Sequence, residues 1–186
     1  MSYKDKTLIF ESDKIYFEEN ELVFEVMMNW EDPIMKASAD YVCENGGDIL
    51  EVGFGMGISA GHIQANNINS HTIIENHPQI IERAKAWAVD KPNVTIVEGD
   101  WYDIKDSLST YDGIFYDTFG EGDWSKFAQE LSSLTKSGTK ATWWNNNPSA
   151  TTIHNIDNVA YEEIEVTPTE NSYFNSSVYY LPKKEF

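Results

Sequence analysis

Cysteine is almost missing from this chain of 186 residues, and Cys43 is the only one. An internal disulfide is therefore excluded. We expect a reducing compartment such as the cytoplasm, which agrees with the near absence of cysteine. No apolar run approaches the ~20 residues needed to cross a bilayer. Residues 1–6 lack the apolar core of a secretion signal, which also favours a cytoplasmic location.

Basic residues are scarce as well, with 13 lysines and arginines against 31 acidic residues and a formal net charge of −18. Nucleic acids and anionic membranes are bound largely through lysine and arginine, so we expect neither as a partner. A cationic small substrate would be favoured by the field of the protein, although solubility alone also explains an acidic surface. The sequence does not indicate an oligomeric state.

Apolar runs alternate with helical patterns through the middle of the chain, without a repeat or a linker, which predicts one α/β domain over residues 1–186. Two further strands, separated by a polar turn, predict an antiparallel hairpin that closes a mostly parallel sheet. The predicted strands lie near 48–52, 71–75, 94–97, 111–117, 139–145, 161–166 and 177–181, and the helices near 57–66, 78–89 and 123–135.

The first 35 residues are rich in aromatic and acidic side chains. They predict either short strands near 8–10 and 14–17 or a segment that covers a site. A helix is predicted from Pro33 to about Glu44, with Asp32 as its cap.

A glycine-rich turn follows the first strand of the predicted sheet, at Gly53-Phe54-Gly55. Glycine tolerates positive φ and lets the backbone come close to a nucleotide-like ligand. Glu75 closes the next apolar run, ~20 residues further on, which is the spacing of a carboxylate that binds ribose hydroxyls. The pair predicts an adenosine-containing cofactor at the carboxyl ends of a parallel sheet.

Carboxylates also follow the third and fourth strands. Asp100 and Trp101 offer an acceptor for an adenine amino group and a ring to stack on it, and Asp117 follows an apolar strand. Each has an ordinary alternative as a surface acid or a core aromatic residue. Together with the closing hairpin, the set resembles a class I S-adenosylmethionine-dependent methyltransferase, which implies a Rossmann-like fold with a seven-stranded sheet.

Over residues 23–147 the resemblance is to one particular family within this class. The segments Trp30-Glu31-Asp32-Pro33, Gly53-Phe54-Gly55-Met56 and Tyr116-Asp117-Thr118-Phe119 resemble the guanidinoacetate N-methyltransferase family and the related arginine δ-N-methyltransferases. This resemblance implies that S-adenosylmethionine donates a methyl group to a nitrogen of a small guanidino compound.

The resemblance assigns Glu31 and Asp117 to binding the guanidinium, with Asp117 as the base. Carboxylates bind a guanidinium through paired, charge-assisted hydrogen bonds. The pKa of the guanidinium exceeds ~12, so a proton must be accepted as the methyl group arrives. Asn146 and Asn147 lie where the family binds a substrate carboxylate through backbone N–H groups. The implied cofactor positions are Met27, Met35, Gly53, Phe54, Gly55, Met56, Glu75, Asn76, His77, Asp100 and Trp101.

Several alternatives stay open. Residues 149–157 leave little room for a helix, so a larger guanidino compound or a protein arginine could enter the site. Another small amine and a non-catalytic cofactor-binding module are further alternatives. The histidines lack the spacing of metal ligands, and we expect no metal site. Trp143 and Trp144 point to opposite faces of a strand, which places one in the core and the other at the substrate pocket, unless both only pack.

Overall fold

The computed structural model describes residues 2–120, 125–151 and 156–186. None of the helices in these ranges is long and apolar enough to span a membrane. The strands are β1 (Ile9–Phe10), β2 (Lys14–Glu19), β3 (Leu22–Met28), β4 (Asp48–Val52), β5 (Ser70–Glu75), β6 (Val94–Glu98), β7 (Tyr111–Tyr116), β8 (Thr135–Trp143), β9 (Ala160–Glu165) and β10 (Val178–Glu185). The α-helices are α1 (Asp32–Val42), α2 (Ile58–Gln64), α3 (Pro78–Ala88), α4 (Trp101–Ile104) and α5 (Ser125–Glu130).

Seven strands form one sheet in the order β6-β5-β4-β7-β8-β10-β9. The first five strands of this order pair in parallel, and β10 runs antiparallel to both of its neighbours. The predicted mostly parallel sheet and its closing hairpin are therefore confirmed. The chain leaves β4 toward β5 on one side and later returns to β7 on the other, so the strand order reverses beside β4.

The two faces of this sheet carry separate cores. Ile49 of β4 packs on one face with residues of α1, including Ile34 and Met35. The next residue, Leu50, packs on the other face with Trp101 and the partly aromatic core around it. Successive side chains of a strand point to opposite faces, so a strand covered on both faces needs a nearly continuous apolar run.

A second, antiparallel sheet contains β1, β2 and β3. Short strands at the positions of β1 and β2 were one of two alternatives that the sequence offered, and β3 was not predicted. The turn between β2 and β3 consists of Asn20 and Glu21, which have φ values of 52° and 65°. Such a turn ordinarily contains glycine. Because glycine is absent from this turn, the sequence did not indicate the hairpin.

The boundaries of several elements differ from the predictions, most clearly those of α1, α5 and β8. Helix α1 begins one residue early, so Glu31 rather than Asp32 is its cap residue. Helix α5 ends at Glu130 and continues as a 3-10 turn, while residues 123 and 124 of the predicted helix lie outside the described residues. Strand β8 begins at Thr135 because this residue pairs with Tyr111 at the start of β7.

Candidate functional site

A cavity of about 180 Å³ lies where β4, β5 and β7 end. This edge is the point at which the strand order reverses, and parallel sheets ordinarily bind ligands there. Residues after each of the three strands line the cavity, including Gly53, Asn76 and Thr118. The amino-terminal part of the chain contributes Tyr3 and Met27, so both sheets enclose the same space.

The glycine turn after β4 leaves no room for side chains at two positions. Gly53 has a φ of 96°, and a Cβ atom there would lie 1.9 Å from the carbonyl oxygen of Asp117. Gly55 has a φ of 52°, and a Cβ atom there would lie 2.5 Å from Sδ of Met27. The bare backbone of the turn therefore fits between β3 and the end of β7, and it borders the cavity directly.

Glu75 joins the glycine turn to the start of α3. Its buried carboxylate accepts hydrogen bonds from the backbone N–H groups of Phe54 (3.0 Å), Asn76 (2.9 Å) and His77 (2.8 Å). The same side chain lines the cavity. Two carboxylate oxygens offer about four lone pairs, so three N–H donors leave capacity for a ligand hydroxyl.

Glu31 approaches the cavity from the other side, through the short 3-10 turn Asn29–Glu31 that links β3 to α1. Its Oε1 atom accepts hydrogen bonds from the N–H group of Met28 and from the hydroxyl of Tyr173, both at 2.7 Å. Burial raises the pKa of Glu31 to about 8, and the nearby charge of Asp117 adds to this rise. The two hydrogen bonds act in the opposite direction.

Asp117 is the first residue after β7, and its N–H group donates to the carbonyl of Val52 at 2.9 Å. Burial raises the pKa of Asp117 to about 7, and the negative charge of Glu51 beneath it contributes. The side chain retains partial exposure and lines the cavity. Two carboxyl groups with raised pKa values thus face one cavity, an arrangement that a cation would stabilise in its ionised form.

Aromatic side chains border the cavity beside Glu31. Trp144 lines it, whereas the neighbouring Trp143 is completely buried in the core, as expected if the two point to opposite faces. The ring of Tyr173 also lines the cavity, 6.1 Å from the ring of Trp144 and 5.8 Å from that of Trp30. Flat rings next to carboxylates favour a planar cation.

The cavity brings together nine of the predicted site residues, which are Met27, Glu31, Gly53, Phe54, Gly55, Glu75, Asn76, Trp101 and Asp117. Their assigned roles remain predictions, because geometry alone does not test them. The lining also includes Tyr3, Glu25, Thr118 and Tyr173, which sequence reasoning missed.

Three predicted cofactor positions lie outside the lining for identifiable reasons. Met35 lies in α1 and is completely buried in the core. Met56 donates its N–H group to Sδ of Met27 at 3.2 Å, and this contact connects the glycine turn to β3. His77 is buried, and its Nε2 atom donates to the carbonyl of Lys6 at 3.1 Å.

The other predicted positions outside the lining belong to loops. Asp100 caps α4 by accepting the N–H group of Tyr102 at 2.9 Å. Asn146 and Asn147 follow β8, and the N–H group of Asn147 donates to Oδ1 of Asn145 at 3.2 Å. The roles of these residues likewise remain predictions.

The residues present fit a nucleoside ligand with a sulfonium chain. The turn at Gly53 provides backbone that no side chain shields, and Glu75 provides a carboxylate for ribose hydroxyls. The buried hydroxyl of Thr118 has no hydrogen-bond partner within the described part of the chain, and Thr118 lines the cavity. This hydroxyl is shielded from solvent, so the fit to the nucleoside rests on the glycine turn and on Glu75.

Comparison with known proteins identifies relatives that agree with this geometry. A family model described as guanidinoacetate N-methyltransferase matches residues 11–143. Protein arginine N-methyltransferase 2 of Aspergillus oryzae is 40% identical over 137 residues, which cover 69% of this chain and 32% of that protein. The Saccharomyces cerevisiae protein of the same name is 37% identical over 133 residues, which cover 65% of this chain and 30% of that protein. The chain thus matches about a third of the length of these curated relatives.

Solved structures show the same fold at low sequence identity. Spermidine synthase from Thermotoga maritima has a TM-score of 0.66 and 12% identity, with 96% of this chain and 72% of that chain covered. A proposed caffeoyl-CoA O-methyltransferase from Staphylococcus aureus has a TM-score of 0.53 and 23% identity, with 61% and 57% covered.

Fold, cavity and relatives together define a Rossmann-like methyltransferase domain of class I, and S-adenosylmethionine is the methyl donor of this class. The family model matches well over half of the residues, so the chain can be assigned to one family within this class. The chain belongs to the guanidinoacetate N-methyltransferase family, which confirms the resemblance found in the sequence.

Proposed function

We propose that this chain transfers a methyl group from S-adenosylmethionine to a nitrogen of a small guanidino compound. The observation that carries the proposal is the pair of carboxyl groups, Glu31 and Asp117, that face one cavity with raised pKa values. A guanidinium presents several N–H donors in one plane, and two carboxylates on different sides can bind it at the same time.

Binding of the cation and ionisation of the carboxyl groups favour each other. A nearby positive charge lowers a carboxyl pKa, so an entering guanidinium drives both Glu31 and Asp117 toward the charged form. The binding energy then offsets the cost of holding two negative charges in a partly buried place. We therefore expect acceptor affinity to rise with pH up to about 8, where Glu31 ionises without help from a ligand.

Asp117 is the better candidate for the base. Its backbone is fixed by the hydrogen bond to Val52, directly beside the glycine turn, whereas Glu31 already accepts two hydrogen bonds from the protein. The donor, when bound, supplies an electrophilic methyl group. As the new C–N bond forms and the C–S bond breaks, Asp117 accepts the guanidinium proton and later releases it to water, while Glu31 holds the cation in position.

A protein arginine is the second candidate acceptor. The curated relatives are named for that activity, and arginine carries the same guanidinium group. Since this chain matches only about a third of their length, their name does not decide between a small acceptor and a protein.

Methyl transfer from labelled S-adenosylmethionine to a panel of acceptors tests the proposal. The panel contains guanidinoacetate, arginine, agmatine, simple amines and an arginine-rich peptide. We expect transfer to guanidines and none to simple amines. Intact donor binding without transfer to any guanidine would remove the guanidino hypothesis and leave the fold assignment in place.

Two variants test the carboxylate pair. Asp117→Asn should lower kcat by at least about 100-fold, the low end of the effect of a general base, and leave donor affinity within a few-fold. Glu31→Gln should mainly raise KM for the acceptor. Asp112→Asn is the matched control, because Asp112 lies at the start of the same strand and does not line the cavity.

A further inference from the structure

The cavity has an unbalanced charge. Four of the described lining residues are carboxylates, namely Glu25, Glu31, Glu75 and Asp117, and none of the described lining residues is lysine, arginine or histidine. Glu75 is engaged with the glycine turn, so three of the four remain for the acceptor side. Charges in a cleft with low-dielectric walls interact more strongly than charges in water. On the acceptor side, an anionic group would therefore meet carboxyl groups and no cationic side chain among the described lining residues.

Two of the backbone donors that follow β8 are engaged inside the protein. After β8, the N–H group of Asn145 donates to the hydroxyl of Tyr179 at 2.7 Å. The N–H group of Asn147 donates to Oδ1 of Asn145. The side-chain amide of Asn147 is also occupied, since it donates to Thr151 and accepts from Ser149, both at 2.8 Å. A carboxylate bound by the N–H group of Asn145 or by the N–H or side-chain amide of Asn147 would have to break these contacts.

Glu25 adds a carboxylate that the methyl-transfer reaction itself does not require. It accepts a hydrogen bond from the hydroxyl of Ser172 at 2.6 Å, and the next residue, Tyr173, donates to Glu31. Consecutive residues of the segment between β9 and β10 thus hold Glu25 and Glu31. Both carboxylates line the cavity beside the rings of Tyr173 and Trp144, which also favour positive charge.

We propose that the acceptor is a guanidino compound without a carboxylate, and that a second positive group of the acceptor lies next to Glu25. The proposal rests on the proposed function and specifies its substrate class. An alkylguanidine with a terminal amine, such as agmatine, has this chemistry. In guanidinoacetate or free arginine, the carboxylate would meet Glu25, Glu31 or Asp117 with no cation among the described lining residues to balance it.

Two matched pairs of acceptors test the first part. Agmatine differs from arginine only by the carboxylate, and the amide of guanidinoacetate differs from guanidinoacetate mainly in charge. We expect kcat/KM to be at least about tenfold higher for the member without a carboxylate in both pairs, as unfavourable charge pairs in an interface discriminate at this level. The donor is the same in every assay, so its own carboxylate does not affect the comparison.

The outcomes separate the two proposals. Equal or better transfer to guanidinoacetate and arginine overturns the inference about charge and leaves the guanidino methyltransferase intact. Transfer to no guanidine at all overturns both.

A side-chain variant tests the second part. Glu25→Gln should raise KM for agmatine about tenfold and leave KM for butylguanidine, which lacks the terminal amine, unchanged within about twofold. Glu18→Gln removes the same charge from an exposed position on the neighbouring strand, and both KM values should stay unchanged. An equal change for both acceptors in Glu25→Gln would overturn the assignment of Glu25 to a second positive group.

Discussion

The raised pKa of Asp117 makes the ligand-free protein sensitive to pH. Its pKa is about 7 in the folded protein, against an ordinary value of 3.8. Between these values the folded state binds the proton and the unfolded state does not. Stability from this group is therefore complete below pH 4 and is lost as the pH rises through 7. We expect Asp117→Asn, which cannot ionise, to be more stable than the wild type at neutral and higher pH.

The size of the effect follows from the two pKa values. A rise from 3.8 to about 7 corresponds to an upper limit of about 4 kcal/mol of unfolding free energy. Asp117 retains partial exposure to the cavity, where water screens its charge, so we expect roughly half of this, about 2 kcal/mol above pH 7. The gain should grow between pH 4 and 7 and then become constant.

Urea unfolding at pH 5, 6, 7 and 8 without ligands measures this gain. Asp112→Asn is the control of opposite sign. Burial opposes ionisation there, but the N–H group of Asp48 and the ammonium of Lys136 outweigh it and hold the pKa of Asp112 below its ordinary value. The control should lose stability at neutral pH. If Asp117→Asn unfolds at the same or a lower urea concentration than the wild type at pH 8, the argument from burial is refuted.

Three further substitutions give distinct results. Tyr173→Phe removes a hydrogen bond that lowers the pKa of Glu31, so the pH profile of acceptor affinity should move upward by about one pH unit. Acceptor titrations from pH 6 to 10 measure this, and an unmoved profile would contradict it. Gly53→Ala places a Cβ atom against the carbonyl of Asp117 and should cost more than about 3 kcal/mol, and a thermal midpoint equal to that of the wild type would count against it. Glu75→Gln removes the charged acceptor of three N–H groups, so calorimetry should show donor affinity at least about tenfold weaker, whereas affinity within twofold would exclude this role.

The sequence predicts the large sheet well because its signals are local. Most parallel strands contain an apolar run, as in β4 and β7, although β8 is largely polar. The helices between the strands have their own start signals, such as Pro78 in α3. The glycine turn and Glu75 are also local, since their spacing along the chain places them at the same sheet edge. The predictions for these elements needed no information about distant contacts.

The acceptor side of the cavity was less predictable because it depends on contacts between distant segments. Tyr173 and Glu31 are 142 residues apart in sequence, and no periodic pattern indicates that they meet. Glu25 was missed with the strand that carries it, because the turn at Asn20 and Glu21 lacks glycine. A turn built from Asn and Glu in left-handed conformations carries a weak sequence signal.

The contact between Met27 and the glycine turn has a consequence for folding cooperativity. The sulfur atom of Met27 accepts the N–H group of Met56 and occupies the space that a side chain at Gly55 would need. Opening of β3 would therefore break a contact with the turn. A ligand that rigidifies the turn should slow amide hydrogen exchange in β3, since local opening of the strand then requires the ligand to leave. The rate of amide hydrogen exchange in the small sheet should therefore depend on whether the methyl donor is bound.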